Sequence, residues 1–518
     1  MNKIKLYLAV LLPVIMALQS CELESEVFND INTSIYPTTE RDARDLITGN
    51  VYTPFTTVAF DGTGENVYQG IFSGANGFHL LADMASDIGF CNWGTGTWGA
   101  LEFGQVQPTT QYGSTIIYDK GYHRFFGKML LTIDRIQGLD IDADVKARYI
   151  AEAKCGLGFL GFLFYDWYGP VVIPDLETLK APQEAKILPR LSEDAMKTFI
   201  ETNLKEAAAV LPATYAHSDP EYGRFTAGLA HMVLLKFYMQ TQQWGKAITE
   251  GKELMKPEYG YQLVTDPGNA TGVDPDATPT AYANIFSVAN EGNSETIWAV
   301  NYNSTYKNEW FPNVLMGGCP LNNGAAGWDG YKIIPQFFAT FEAGDQRRNT
   351  IISNENWPEG NLSDGVLPVK YEINTTGGNT RSALDWIVYR YADAITLLAE
   401  AIVRNGGDFS GGSPEPLDLL NQVRTRAGLT VYTAADIASK DDFIAKLLME
   451  RAHEFYFEGV RRQDLIRDGK YEETMKWKCN LGLSGSASFA NPAKIYDRMP
   501  LPQSLITEGQ GIIEQNPY

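Results

Sequence analysis

Between Leu447 and Gly469 the chain reads LLMERAHEFYFEGVRRQDLIRDG, which sets Glu450, Arg451, Glu454, Glu458, Arg461, Arg462 and Asp464 at spacings that a helix brings onto common faces. Two carboxyls flanking a glycosidic bond are the machinery of sugar hydrolysis, one donating a proton while the other acts as base or nucleophile. The proton donor needs a raised pKa. Here every carboxylate has an arginine within about a turn of helix, and such pairing lowers a carboxyl's pKa. The pattern reads as an ion-pair network clamping a late helix onto its scaffold. No unpaired, apolar-flanked carboxylate pair stands out elsewhere, so no catalytic residue is assigned.

Other residue types suit binding. Indole and phenol rings stack on the C–H faces of sugars, while Asn, Asp and Gln bond to hydroxyls. The stretch DIGFCNWGTGTWG supplies Asp87, Asn92, Trp93 and Trp98 in one glycine-loosened loop. NSTYKNEWFPN supplies Tyr306, Asn308, Trp310 and Phe311, and NNGAAGWDG adds Trp328 and Asp329. Loops carry binding groups more often than regular elements do, and clustered exposed aromatics need a reason. The competing role for each ring is to anchor its own loop. Trp98 and Trp310 are the leading candidates for ligand contact.

Searches for other chemistry fail. The five histidines (His79, His123, His217, His231 and His453) form no HExxH and no metal spacing. GTGTWG, Gly94 to Gly99, matches the dinucleotide glycine pattern, but it follows CNW and no helical pattern opens behind it. It reads as a flexible loop presenting Trp98. Cys91, Cys155, Cys319 and Cys479 form no CxxC, which argues against a zinc cage. Cys155 has the surroundings of a buried apolar residue, and no disulfide is expected. No cofactor and no metal are expected either.

At the N-terminus, Lys3 and Lys5 precede an apolar run from Tyr7 to Leu18, shorter than the roughly 20 residues of a membrane-spanning helix. Residues 1–20 have the form of a secretory signal. Leu18-Gln19-Ser20-Cys21 resembles a bacterial lipobox, in which the cysteine is acylated and becomes the new N-terminus. Several acyl chains on Cys21 would hold the protein stably to a membrane. Residues 21–40 then read as a tether. The net charge of −21 argues against nucleic acid and against an acidic membrane face. A composition of 44% apolar, 20% charged and 12% aromatic residues is that of a folded chain, and it accommodates a neutral ligand.

The elements that must position these residues are helical. Ile150, Ala153, Leu157, Leu160 and Phe164 recur at helical spacing, ending before Gly169-Pro170. Ala227, Ala230, Leu234, Phe237 and Tyr238 do the same, followed after TQQ by Trp244, Ala247, Ile248, Gly251 and Leu254. That is a helical hairpin with small residues set against large ones, as tetratricopeptide-type pairs pack. Further helices are expected at about 387–404, 416–427 and 440–459. Long Gly/Asn/Asp/Trp-rich stretches separate them at 60–118, 257–330 and 350–384, so any sheet should be small.

Taken in order, several segments resemble the SusD/RagB family, surface glycan-binding lipoproteins of Bacteroidetes. Leu447 to Gly469 looks like that family's E-R-x-x-E-F-x-F-E-G-x-R-x-x-D-L-x-R signature. RMPLPQSLI followed by EQNPY is similar to its terminal Pro-x-Pro and Gln-Asn-Pro-x-Tyr pattern. YRYADAITLLAEAIVR, LLNQVRTRAGL, FEAGDQRR, GRFTAGLAHMVLLKFYM and YIAEAKCGLGFLGFLFYDWYGPVVI match its other segments, with Lys154 where an arginine is commoner. The resemblance implies a mostly α, tetratricopeptide-like scaffold with long irregular loops and small β elements, forming one domain over 41–518. Its ligand-binding part would lie in about 60–118 and 257–384. The resemblance also implies a non-enzymatic protein of the outer-membrane surface that captures an oligosaccharide for a SusC-type TonB-dependent transporter. Glu22, Glu24 and Glu26 are similar to the acidic signal that sends such lipoproteins to the cell surface. Binding residues differ between family members, so none carries over. The alternatives are a peptide- or other nutrient-binding protein of the same fold and a surface glycoside hydrolase.

Overall fold

Thr39 and Asp42 open the first helix, α1 (Glu40–Ile47), by reciprocal capping: the Thr39 hydroxyl accepts from Asp42 N at 3.1 Å and the Asp42 carboxylate accepts from Thr39 N at 2.9 Å. The computed structural model describes residues 36–56, 58–60, 66–72, 78–92, 97–110, 121–302, 330–360, 362, 364–372 and 383–517. Two short helices, α2 (Phe78–Met84) and α3 (Thr97–Glu102), precede the scaffold. The scaffold then runs through α4 (Arg124–Gln137), α5 (Ala143–Tyr168), α6 (Glu193–Ala208), α7 (Ala227–Gln240) and α8 (Trp244–Leu254). It continues with α9 (Tyr391–Arg404), α10 (Pro416–Arg426), α11 (Lys440–Phe455), α12 (Arg461–Arg467) and α13 (Tyr471–Cys479). Asp142, Ser192, Thr226 and Ser439 cap α5, α6, α7 and α11 with side-chain oxygens.

From α4 to α10 each helix packs on the next in this order, and α11 closes against α9 and α10. Small residues allow the close approach. A Cβ added at Gly158 of α5 would lie 2.5 Å from Leu204 Cγ of α6, and one at Gly251 of α8 would lie 2.9 Å from Leu398 Cβ of α9. Among the described residues, one apolar cluster extends from Ala43 to Ile513. Each large apolar side chain taken fully out of water contributes about 1.5–3 kcal/mol to it. Part of the aromatic content serves this core: Phe55 stacks on Phe159 at 4.9 Å between centroids, and Trp298 meets Phe159 edge-on at 5.8 Å. Cys91, Cys155 and Cys479 are buried, Cys155 and Cys479 as free thiols, while Cys319 lies outside the described residues.

The strands form four two-stranded antiparallel ladders among the described residues. In chain order the strands are β1 (Val58–Phe60), β2 (Asn66–Gln69), β3 (Gly89–Cys91), β4 (Thr296–Val300), β5 (Tyr331–Ile333), β6 (Ile351–Ile352), β7 (Leu367–Pro368) and β8 (Trp386–Arg390). The pairs are β1–β2, β3–β5, β4–β8 and β6–β7. The fold is mostly α and tetratricopeptide-like, with small β elements.

Three details differ from expectation. The helix expected from 387 begins at Tyr391, because Trp386–Arg390 pairs with β4 as strand β8. The helix expected to reach 459 stops at Phe455, where Tyr456 turns extended and Phe457 and Gly459 take positive φ of 63° and 71°. The loop expected around Trp98 contains strand β3 and helix α3, and that helix opens within GTGTWG, at Thr97. β3 nevertheless pairs antiparallel with β5 and α3 has only six residues, so among the described residues no strand–helix–strand nucleotide unit forms there.

α5 ends at Gly169, whose φ is 75°. The carbonyls of its last turn are taken by distant parts of the chain: Trp167 O accepts from Met499 N at 2.7 Å, and Tyr168 O accepts from Asn516 Nδ2 at 3.0 Å. Among the described residues no helix is long and apolar enough to cross a membrane.

Candidate functional site

β3 and β5 join the two segments that the aromatic pattern singled out independently. Cys91 stands opposite Tyr331, and beyond the ladder Asn92 N donates to Gly330 O at 2.7 Å. In the sequence Trp93 follows Asn92 directly, and Trp328 and Asp329 precede Gly330 directly. The chain thus leaves one short ladder into both aromatic stretches. Of the candidate contacts, Trp93, Tyr306, Asn308, Trp310, Phe311, Trp328 and Asp329 lie outside the described residues, as does Cys21. Trp98 sits in α3, and its side chain also lies outside them.

The two remaining candidates are placed. Asn92 is half-buried, and its carbonyl accepts from Ser484 Oγ at 3.1 Å. Asp87 accepts from Arg461 Nε and Nη2 at 2.8 and 2.9 Å. Burial alone would raise the Asp87 carboxyl, but the Arg461 guanidinium overrides it and holds the pKa below the usual carboxylate value. Asp87 thereby fixes the root of the segment that leads to Asn92.

The far edge of β3 is held by side chains. Lys478 Nζ of α13 donates to Gly89 O at 2.6 Å and to Met84 O, while Glu102 Oε2 of α3 accepts from Cys91 N at 3.2 Å. Backbone groups turned away from β5 therefore find charged partners at both ends of the strand. Burial pushes Glu102 up to about 7 against the pull of Lys478, and burial pushes Lys478 down to about 8. Neither residue was singled out from the sequence. Their visible signal is a charge set among apolar neighbours, in WGALEFG and MKWKCN.

The aromatic stretch 303–329 is rooted at its other end as well. Tyr302 N donates to Asp385 Oδ1 at 2.8 Å, and Asp385 N donates to Glu291 Oε1 at 2.9 Å. Burial pushes Asp385 up to about 7. Asn269, Thr271, Asn290, Tyr371 and Glu372 line a cleft of about 540 Å³. Its amides were not singled out from the sequence, because Asn and Gly in an irregular stretch signal turns as readily as binding.

The carboxylates of the 447–469 signature are buried in an ion-pair network. Glu450 meets Arg347 at 2.6 Å and Arg424 at 2.8 Å. Glu454 meets Arg390 at 2.5 Å and also Arg426 and Arg347. Glu458 meets Lys370 at 2.6 Å and Arg390 at 2.7 Å. Asp464 meets Arg451 at 2.8 Å and Arg467 at 2.7 Å. Burial would raise Glu454, but Arg426, Arg390 and Arg347 hold it at about 2. The network reading holds, with its partners corrected. Glu450 and Glu454 pair with bases from remote segments, because residues adjacent on a helix point about 100° apart, and Glu458, beyond the end of α11, pairs with Lys370 and Arg390.

Two single carboxyls lie buried outside this network. Asp83 and Glu102 make no ion pair within 4 Å among the described residues, and burial pushes Asp83 up to about 8. Both have no exposed surface, so no substrate reaches them.

Comparison with known proteins agrees with this architecture. A profile for SusD/RagB, described as the SusD family, matches residues 350–518. The starch-binding protein SusD of Bacteroides thetaiotaomicron is 30% identical over 167 residues, 30% of this chain and 27% of SusD. This chain's match thus spans about a quarter of that relative's length. The SusD-like protein P25 of Formosa agariphila is 24% identical over 395 residues, covering 68% of this chain and 69% of P25. Among solved structures, surface glycan-binding protein A from Bacteroides thetaiotaomicron, in complex with laminarihexaose, superposes with a TM-score of 0.70 at 20% identity. The superposition covers 93% of this chain and all of that one. Surface glycan-binding protein A from Bacteroides fluxus gives 0.71 at 18% identity, with the same coverage. With the late signature buried in its ion-pair network and Asn516 closing α5, the last third of the chain matches the SusD/RagB profile, and the chain as a whole is similar in fold to SusD-like proteins.

Proposed function

We propose that this protein is a non-enzymatic, cell-surface glycan-binding lipoprotein. It captures an oligosaccharide on the aromatic stretches around Trp93–Trp98 and Tyr306–Trp328 and delivers it to a SusC-type TonB-dependent transporter in the outer membrane. Lipid on Cys21 anchors it there. The observation that carries the proposal is the Asn92–Gly330 junction, from which the chain runs into both stretches. Similar proteins described as starch-binding, laminarin-binding or bound to laminarihexaose support glycan as the ligand class. The buried, ion-paired signature supports binding without hydrolysis.

The test is a glycan array with the protein lacking residues 1–21, beside Trp98→Ala and Trp310→Ala variants. Binding lost on either substitution, with the oligosaccharide recovered uncut, is the expected result. Silence across neutral and acidic glycans, or release of reducing ends, would overturn the proposal. Transport is tested separately, by co-purification with a TonB-dependent transporter from solubilised outer membranes.

A further inference from the structure

Where α5 and α7 end, Asp166 and Gln240 face a cleft of about 400 Å³, bounded on its other side by Asp497, Arg498 and Asn516. Asp166 is only 4% exposed. Its Oδ2 accepts from Arg462 Nη1 at 3.0 Å and Gln463 Nε2 at 3.1 Å, but its Oδ1 is buried without a partner. Gln240 Oε1 is likewise buried without a partner. None of the nearby cations reaches these two atoms: Arg462 directs Nη1 to Asp166 Oδ2 and Nη2 to the carbonyls of Asp166 and Asp497, Arg498 Nη1 bonds Glu193 at 2.6 Å, and Arg467 pairs with Glu400 and Asp464. Two acceptors on one cleft wall thus lack donors, and a buried acceptor left unmade is costly, most of all on a carboxylate.

The electrostatic setting specifies the missing group further. The C-terminal ends of α5 and α7 carry partial negative charge, which favours a cation. A calcium-type ion needs six to eight oxygens, and the unpaired oxygens on this wall are two, Asp166 Oδ1 and Gln240 Oε1. An apolar group would leave both acceptors unpaired. We propose that this cleft binds a primary ammonium group, whose N–H donors reach Asp166 Oδ1 and Gln240 Oε1 together. The site is separate from the aromatic stretches and does not depend on the glycan proposal.

The experiment is calorimetric titration of the full chain with ethylammonium and, at equal ionic strength, with tetramethylammonium, which has the charge but no N–H. Saturable binding of ethylammonium alone is expected. Gln240→Leu leaves every ion pair named above intact and should weaken that binding about tenfold, the loss of one hydrogen bond to a charged donor. Asp166→Asn, folded by circular dichroism, should abolish it. A parallel titration with Nα-acetyl-lysine amide reads the source: binding as tight as that of ethylammonium supports a protein lysine, and weaker binding supports a free amine. Equal responses to both quaternary and primary ions, no heat from either, or binding unchanged in both variants would overturn the proposal and leave a cleft holding water only.

Discussion

Asp87 and Arg461 stand 374 residues apart in the chain and close a two-bond ion pair at 2.8 and 2.9 Å. The pair ties the segment entering β3 to the first turn of α12, so one contact couples the candidate binding region to the scaffold. Removing one partner of a mostly buried pair leaves an uncompensated charge. Arg461→Ala should therefore destabilise the protein by about 3 kcal/mol in urea unfolding. The double variant with Asp87→Asn should lose less than the sum of the single losses; additive losses would show that the pair contributes no coupling.

The β3 clasp should respond to pH near neutrality. Glu102 has its folded pKa raised from 4.5 to about 7, so the folded state holds its proton longer than the unfolded one does. Stability from this group is complete below pH 4.5 and is lost as pH rises to about 7, a change of about 3 kcal/mol. Lys478 has the opposite sign: its folded pKa falls from 10.5 to about 8, so its share is lost as pH drops from 10.5 to 8. Replacing Glu102 by Gln removes the first dependence. The stability difference between Glu102→Gln and the parent should shift in the variant's favour between pH 5 and pH 8, read from urea midpoints at each pH.

Arg390 bridges Glu295, Glu454 and Glu458 with exposures of 1% or less on its own side chain. Arg390→Ala leaves these carboxylates short of a cation, and a loss of about 3–5 kcal/mol is expected. Arg390→Lys should restore little of it, because a single ammonium cannot fork across several carboxylates. Glu454 adds an acid limit. Its pKa is held at about 2 against 4.5, so its contribution is complete above pH 4.5 and disappears as pH falls through 2. Acid unfolding followed by far-UV circular dichroism should start below pH 4.5 for this network.

Gly158→Ala sets helix propensity against packing. In an open helix the change would gain about 1 kcal/mol. Here the new Cβ lands 2.5 Å from Leu204 Cγ, so a net loss of about 1–3 kcal/mol in thermal or urea unfolding is expected. Adding Leu204→Ala should recover part of it; no recovery would mean that the contact with Ile200 O at 3.2 Å sets the limit instead.

How far the structure could be read in the sequence follows the range of each interaction. The helices around Leu157 and from Ala227 to Leu254 were legible because their apolar repeat is local. Trp386–Arg390 was not, because WIVYR runs directly into YADAITLLAEA and only its pairing with Thr296–Val300 makes it a strand. α6 went unread although Ser192 caps it, since its apolar positions Met196, Ile200 and Leu204 are sparse among charges. The charge network was legible as a network, while the identity of its partners was not. Arg347, Arg390 and Arg424 come from segments that carry no local sign of where their side chains point. At the candidate site, the aromatic stretches were visible by composition. Their common root at Asn92 and Gly330 is a contact between residues 238 positions apart, which no local pattern encodes.

The closure of α5 by Met499 and Asn516 bears on how the chain folds as it emerges. The longest helix among the described residues is made from residues 143–168, yet its terminal carbonyls wait for partners 332 and 348 positions downstream. A chain translated N-terminus first leaves those carbonyls to water until Met499 and Asn516 have followed. Loop closure over such separations is slow compared with forming the local hairpins. The seal at Tyr168 needs Asn516, so it is a latch that a chain cut before that residue cannot close.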